Sequence, residues 1–245
     1  DATITASAES VCFGDSVELS ATSNGHIEDC NLNGTLTNGL VGYWPFCGNA
    51  DDASDNENHG TVNGAALTTD RFGFANSAYE YDGNDDKISI PHNDDFNFDS
   101  FSISVWALKD NQSLINPGIV SKCEANNYGW YMFTTISSSD SLTWAGGISS
   151  GNYFTTRNTP LNPNNWVHVV GTFSENDQKL FVNGVLVDTD NNPGPIVNTL
   201  EDITFGFKNG DNFWGGRIDD IGIWNRILTS SEITELYNIQ DYDIS

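Results

Sequence analysis

The chain is poor in basic residues. Nine Lys and Arg stand against 34 Asp and Glu in 245 residues, a formal net charge of −25. A field of that sign repels nucleic acid and anionic membrane surfaces, and neither is expected as a partner. Long apolar runs are missing, so no membrane-inserted helix is expected. No two of the four cysteines form a C-x-x-C pair, which argues against zinc. No Gly-rich loop leads from a strand into a helix to cradle phosphate. No E-x-D-x-x-E strand is present to set two carboxylates across a hydrolytic cleft. The four histidines, His26, His59, His92 and His168, have no Ser or Cys partner by motif. His168 beside Trp166 reads as a hydrogen-bonded sheet residue. Catalysis is therefore not expected. No signal peptide is visible at Asp1, and the chain reads as a mature or excised piece of a larger secreted or cell-surface protein.

What is present is a supply of core. Hydrophobic residues make up 38% and aromatics 12%, while Gly, Asn, Thr and Ser interrupt the chain at short intervals. Helical periodicity is rare, so the expectation is short strands joined by turns. The cysteines are Cys12, Cys30, Cys47 and Cys123. An even number at wide spacing fits disulfides and an oxidising compartment. Of the three connectivities, Cys12–Cys30 with Cys47–Cys123 is preferred, because the first pair falls within one N-terminal segment. Asn33-Gly-Thr and Asn111-Gln-Ser match glycosylation sequons.

Residues 1–36 differ from the rest. Their two alternating stretches, with Val17, Leu19 and Ala21 on one face, suggest two strands of an Ig-like stub or strap, too short for a core of its own. Residues 37–245 form the main domain. "FSISVWALK" puts Phe101, Ile103 and Val105 on one face and Trp106 and Leu108 on the other. "NWVHVVGTF" separates Trp166, His168 and Val170 from Val167, Val169 and Phe173. Asn183-Gly184 in "QKLFVNGVLVDT" marks a type I′ hairpin. One helix is expected, in "LTSSEITELYNI", where Thr229 and Glu232 form a capping box and Ile233, Leu236 and Tyr237 share a face. The fold class is all-β, an antiparallel two-sheet jelly roll with one short C-terminal helix.

The order of motifs is itself informative. "GLVGYWPFCGNADDASDNENHGTVNGAALTTDRFGFANSAYEYDGNDDKISI" is followed by "FSISVWALK", "GIVSK", "NNWVHVVGTF", "KLFVNGVLVDT" and "GRIDDIGIWNRILTSSEI". Over residues 38–240 this set resembles the concanavalin A-like, laminin-G-like jelly roll domains of secreted bacterial proteins. The N-terminal stub is similar to segments preceding such domains in multidomain surface proteins of Bacteroidetes-type bacteria. The resemblance implies a non-catalytic module that binds a polysaccharide or other glycan beside a degrading enzyme or adhesin. It also implies a structural Ca²⁺.

Calcium takes six to eight hard oxygen ligands. The acidic stretch "DDASDNENHG" after the first strand matches the family series at Asp52, Ser54, Asn56, Asn58 and Gly60, with Asp55 and Glu57 where the family has glycines. First and last strands of a jelly roll are neighbours, so Asp219 or Asp220 of "RIDD" is expected across from that loop. In a regular strand one of the two faces inward and the other outward. The expected ligands are Asp52, Asn56, Asn58, Asp219 and Asp220. A second acidic cluster, "DGNDDK" at 82–87, reads as a hydrated turn.

Sugars bind through aromatic faces and polar groups. Trp44, Trp106, Trp166 and Trp224 are assigned to packing. Trp130, Trp144 and Trp214, with Tyr131, Tyr153, Arg157, Lys208 and Asn209, are the candidate ligand-binding group. An adhesion or spacer domain binding protein is the alternative, marked by an exposed apolar patch. A glycoside hydrolase ranks below both.

Overall fold

The computed structural model describes residues 2–6, 19–23, 30–111, 116–124, 129–135, 141–149, 152–191, 193–210 and 212–239. Two compact units divide the chain, Cys30–Ile239 and a smaller one comprising Asp1–Asp29 with Gln240–Ser245. In the smaller unit, β1 (Ala2–Ala6) and β2 (Leu19–Ser23) pair antiparallel. The division falls at Cys30 because Leu32 and Leu36 are buried in the larger unit. There Trp224 Nε1 donates to the Leu36 carbonyl at 2.7 Å.

The larger unit runs β3 (Leu40–Trp44), β4 (Thr61–Asn63), β5 (Ala66–Thr68), β6 (Ala78–Asp82), β7 (Lys87–Ile90), β8 (Phe101–Lys109) and β9 (Gly118–Cys123). It continues with β10 (Gly129–Thr135), β11 (Ser141–Ser149), β12 (Asn152–Pro160), β13 (Trp166–Phe173), β14 (Asp177–Val182), β15 (Val185–Asn191), β16 (Ile203–Phe205) and β17 (Gly215–Trp224), then helix α1 (Ser230–Asn238). One sheet has seven strands in the order β12-β11-β10-β9-β16-β7-β4, and the other eight, β15-β14-β13-β8-β17-β6-β5, with β3 also paired to β17. All of these pairings are antiparallel. The expected two-sheet jelly roll with one C-terminal helix is what forms.

The period-2 patterns explain the layers. Phe101, Ile103, Val105 and Ala107 of β8 and Val169 and Phe173 of β13 enter the core between the sheets. Their neighbours point the other way, where Val170, Phe181 and Trp224 join Ile233 and Leu236 of α1 in a second cluster. The eight-stranded sheet is thus apolar on both faces. The capping box forms as expected, with Thr229 accepting from the Glu232 N–H and Glu232 from the Thr229 N–H. Arg226 adds a two-pronged contact to Glu232, at 2.9 and 2.8 Å. Asn183 and Gly184 take φ of +50° and +76°, as the hairpin turn requires.

The disulfide expectation is corrected. Cys30 bonds to Cys47, closing a separation of 17 residues. Cys123 is a free thiol. It lies at the end of β9 against Tyr131 and Ala145, and burial pushes its pKa up to about 11. Cys12 lies outside the described residues.

Candidate functional site

The acidic loop after β3 is held together by its own hydrogen bonds. Asp52 is buried. Its Oδ1 accepts the Tyr43 and Ser54 N–H groups at 2.8 and 2.9 Å. Its Oδ2 accepts the Ser54 hydroxyl and the Asn58 N–H at 2.8 and 2.9 Å. Asn58 donates to the Val41 carbonyl at 2.8 Å and accepts from Asn93 at 2.6 Å. Asn56 is exposed and donates to the Leu40 carbonyl at 3.1 Å. Asp55 and Glu57 are exposed. Glu57 has φ +55°, the backbone that the glycine of the family pattern would take without strain.

Across the sheet, β17 departs from a regular strand. Its first half pairs with β6 and its second half with β3. Between them the register against β8 shifts, from Asp219 to Gly222, and Asp220 takes φ +45°. This bulge overturns the expectation that the two carboxylates point to opposite faces. Both meet Arg71, whose Nη1 lies 2.9 Å from Asp219 Oδ2 and 2.6 Å from Asp220 Oδ2. The Asp220 N–H donates to Asp219 Oδ1 at 2.8 Å, and Tyr43 Oη donates to Asp220 Oδ1 at 2.9 Å. Arg71 also stands over the rings of Phe72 and Trp106, 4.3 and 4.7 Å from their centroids. Burial first, and then Asp220, push the Asp219 carboxyl well above the usual carboxylate range, with Arg71 opposing them. Asp52 is turned to N–H and O–H donors, and Asp219 and Asp220 to a guanidinium. As arranged, these side chains do not fit a calcium cage.

Beneath α1 a cavity of about 10 Å³ is lined by Tyr43, Ser104, Trp106, His168, Asp220 and Leu236, among others. That is room for one water at most. Ser104 Oγ lies 2.8 Å from His168 Nε2, but His168 Nδ1 has no partner. Burial, with Arg71 adding to it, pushes the His168 pKa down to about 3. Without a carboxylate on Nδ1 this pair lacks the orienting group of a hydrolytic triad. His168 is the buried, hydrogen-bonded sheet residue expected of it. Among the described residues, the group with three closely placed acidic ligands is Asp82, Asp85 and Asp86, with carboxylate oxygens within 4.8 Å of one another. Asp82 there accepts the Asn84 N–H and Nδ2 at 2.8 and 2.9 Å, and Asp86 accepts the Asp82 N–H at 2.8 Å.

The candidate binding group divides in two. Trp130, Trp144 and Trp214 are fully buried, so their faces are not available to a sugar and their assignment is corrected to packing. Trp144 points into the core because Gly171 of β13 gives it space. A Cβ on Gly171 would lie 2.7 Å from the indole. Its Nε1 donates to the Thr172 carbonyl at 3.1 Å. Trp130 packs at 5.5 Å from Phe101, centroid to centroid. Trp106 and Trp166, assigned to packing, are partly exposed, and Trp106 does pack, against His168 and Tyr237. Trp106 lies on the outer face of the eight-stranded sheet, stacked 5.8 Å from Tyr237 of α1.

Tyr131, Lys208 and Asn209 come together on the outer face of the seven-stranded sheet, where Tyr131 and Lys208 are buried and Asn209 is partly exposed. Lys208 Nζ sits 4.0 Å above the Tyr131 ring. Asn209 donates to the Glu124 carbonyl, at the end of β9, at 3.1 Å. Burial lowers the Lys208 pKa. In β11, Ala145 pairs with Tyr131 on one side and with Thr155 of β12 on the other. Strand alternation puts positions 153 and 157 in register with that same face. The side chains of Tyr153 and Arg157 lie outside the described residues.

Antiparallel sheets of seven and eight strands around one apolar core define a two-sheet jelly roll. The model of the concanavalin A-like lectin/glucanases superfamily matches residues 82–234, more than half of the chain, and the chain belongs to that family. No curated protein sequence matches it. Among solved structures it is similar to the binding domain of Paraclostridial Mosquitocidal Protein 1, at 21% identity and TM-score 0.70, over 83% of this chain and 53% of that one. Domain 4 of AbnA, a GH43 extracellular arabinanase from Geobacillus stearothermophilus, was solved with arabinotriose. It matches at 19% identity and TM-score 0.65, over 81% of this chain and 98% of that one. The binding domain of Botulinum neurotoxin DC with SialylT matches at 20% identity and TM-score 0.68, over 83% and 52%. The chain spans about half the length of the two toxin binding domains. At these identities the likeness is one of fold. Among the described residues no helix is long and apolar enough to cross a membrane.

Proposed function

We propose that the chain is a non-catalytic carbohydrate-binding module of an extracellular, multidomain protein, and that the outer face of the seven-stranded sheet holds the glycan. The observation that carries this reading is the lectin-like fold, shared with jelly rolls solved with sugars; its candidate location is the outer face of the seven-stranded sheet, where the partly exposed Asn209 stands beside the buried Lys208–Tyr131 pair. Asn209 offers an amide to sugar hydroxyls, with the Lys208–Tyr131 pair packed beside it. Positions 153 and 157 extend the same face by two strands. The jelly roll neighbours solved with arabinotriose and SialylT support a glycan as the ligand class. The interior chemistry supports a non-enzymatic role: Ser104–His168 lacks an orienting carboxylate, and Asp220, the carboxylate of that cavity, is tied to Arg71.

Affinity electrophoresis against a panel of soluble polysaccharides tests the reading. At least one is expected to retard the wild-type chain, and Lys208→Met, which keeps the buried stem, is expected to lose the retardation. Uniformly unaltered mobility would reject it.

One feature supports the protein-binding alternative. Edge strand β15 exposes Val185, Leu186 and Val187 consecutively, at 64%, 47% and 37%. Apolar edges of this kind can accept an added strand. Asp188 and Asp190 on the same strand oppose indiscriminate pairing, as charged residues on natural edges do.

A further inference from the structure

The carboxylates that the family resemblance assigns to calcium already face a cation. We propose that the Arg71 guanidinium is the resident cation of the acidic cluster at the β17 bulge, and that the fold therefore needs no divalent ion there. Two buried acids meet in this region, Asp70 and Asp219, and a third, Asp52, lies in the loop after β3. Two of them are satisfied by the loops they organise. Asp52 accepts four donors from residues 43–58. Asp70 accepts the Phe72 and Phe74 N–H groups at 2.9 and 2.8 Å. Asp219 and Asp220 are different, because the bulge turns both toward one point. Two carboxylates so placed repel unless a positive charge lies between them.

Arg71 provides that charge with its side chain only 8% exposed. Its planar, permanently charged head suits a site where carboxylates and aromatic faces meet. Phe72 and Trp106 flank it. The left-handed backbone of Asp220 is strain that the ion pair holds in place. The guanidinium therefore joins the loop before β6 to the point where β17 changes partners. A calcium ion would be lost to a chelator or to a low-calcium medium, whereas this cation is covalently part of the chain.

Thermal melting of the full chain tests this, in EDTA and in added CaCl₂. The wild-type midpoint is expected to be the same in both. Arg71→Met is expected to melt lower in EDTA and to regain stability as Ca²⁺ is added, because it leaves Asp219 and Asp220 facing each other. Arg71→Met combined with Asp219→Asn and Asp220→Asn removes cation and anions together. It is expected to melt above the single variant in EDTA and to ignore Ca²⁺. A wild-type chain destabilised by EDTA and restored by Ca²⁺ would overturn the proposal, as would a folded Arg71→Met that ignores Ca²⁺. Should Arg71→Met not fold, the triple variant decides: folding supports the proposal, and failure to fold overturns it.

Discussion

The two outer faces of the jelly roll treat their cations differently. On the eight-stranded side, Arg71 is paired with Asp219 and Asp220, Arg217 stands 3.8 Å from Glu80, and Lys179 stands 2.6 Å from Asp177. On the seven-stranded side, Lys87 lies 5.2 Å from the Phe207 ring centroid and Lys208 lies 4.0 Å from that of Tyr131. Lys122 of β9, paired opposite the core residue Trp130, lies instead on the inner face, where it donates to the Thr199 carbonyl and burial lowers its pKa to about 8. The first face is covered by α1 and uses charge for structure. Both faces set charge over aromatic rings, Arg71 on the first and Lys87 and Lys208 on the second, but carboxylates hold Arg71, Arg217 and Lys179 on the first. In a chain with nine cations against 34 acids, where each cation is placed matters more than how many there are.

Breaking the covered face should have the largest effect. Arg71→Met leaves buried carboxylates uncompensated, and about 3–5 kcal/mol of stability should be lost, read as a lower denaturation midpoint. Trp144→Ala should lose a similar amount, about 3–5 kcal/mol, since its indole fills the core over Gly171. A Trp144→Ala chain as stable as wild type would return that residue to the surface. Lys208→Met on the other face removes an ammonium whose charge burial already disfavours, so it should cost less stability than Arg71→Met while abolishing polysaccharide retardation. That separation of stability from binding is the sharpest test of the contrast.

The pH dependence follows from His168. Its pKa falls from an ordinary value near 6.5 to about 3 in the folded chain, where Ser104, Trp106, Tyr237 and Arg71 surround it. The unfolded chain takes up a proton below pH 6.5 that the folded chain refuses, so stability falls with pH through that window. It is fully present above pH 6.5 and lost progressively toward pH 3. Asp219, pushed upward, contributes with the opposite sign, so the His168 effect is read by difference: between pH 7.5 and pH 5 the midpoint of wild type should fall relative to that of His168→Gln. The smallest effect belongs to Glu57→Gly, which relieves a positive φ and should raise stability by about 0.5–1 kcal/mol.

How far the sequence reveals this molecule depends on the range of each interaction. Local signals are legible. Alternation in "FSISVWALK", the Asn183-Gly184 turn and the Thr229/Glu232 box each involve residues a few positions apart, and each forms as expected. Trp130 and Tyr131 show the limit. Adjacent in β10, they must face opposite ways, but both are buried, so hydrophobicity does not say which belongs to the core. Gly171 in the middle of a strand was the usable signal for Trp144, because such a glycine marks a close approach. The β17 bulge reverses the Asp219–Asp220 alternation, and no local pattern announces it. Arg71 acts across 148 positions on Asp219, and only the scarcity of cations hints that one must neutralise the buried acids. The cysteines follow the same logic. Cys30 and Cys47 meet because residues 30–36 pack with the jelly roll, a placement that spacing does not reveal.

The most direct test is a calorimetric titration, in EDTA, of wild type and Lys208→Met with the polysaccharide that retards the chain most in electrophoresis. Wild type is expected to bind with the same affinity in EDTA and in Ca²⁺, and Lys208→Met to bind at least about tenfold more weakly, equivalent to about 1.4 kcal/mol. Equal binding by the two chains, or binding that disappears in EDTA, would contradict that expectation.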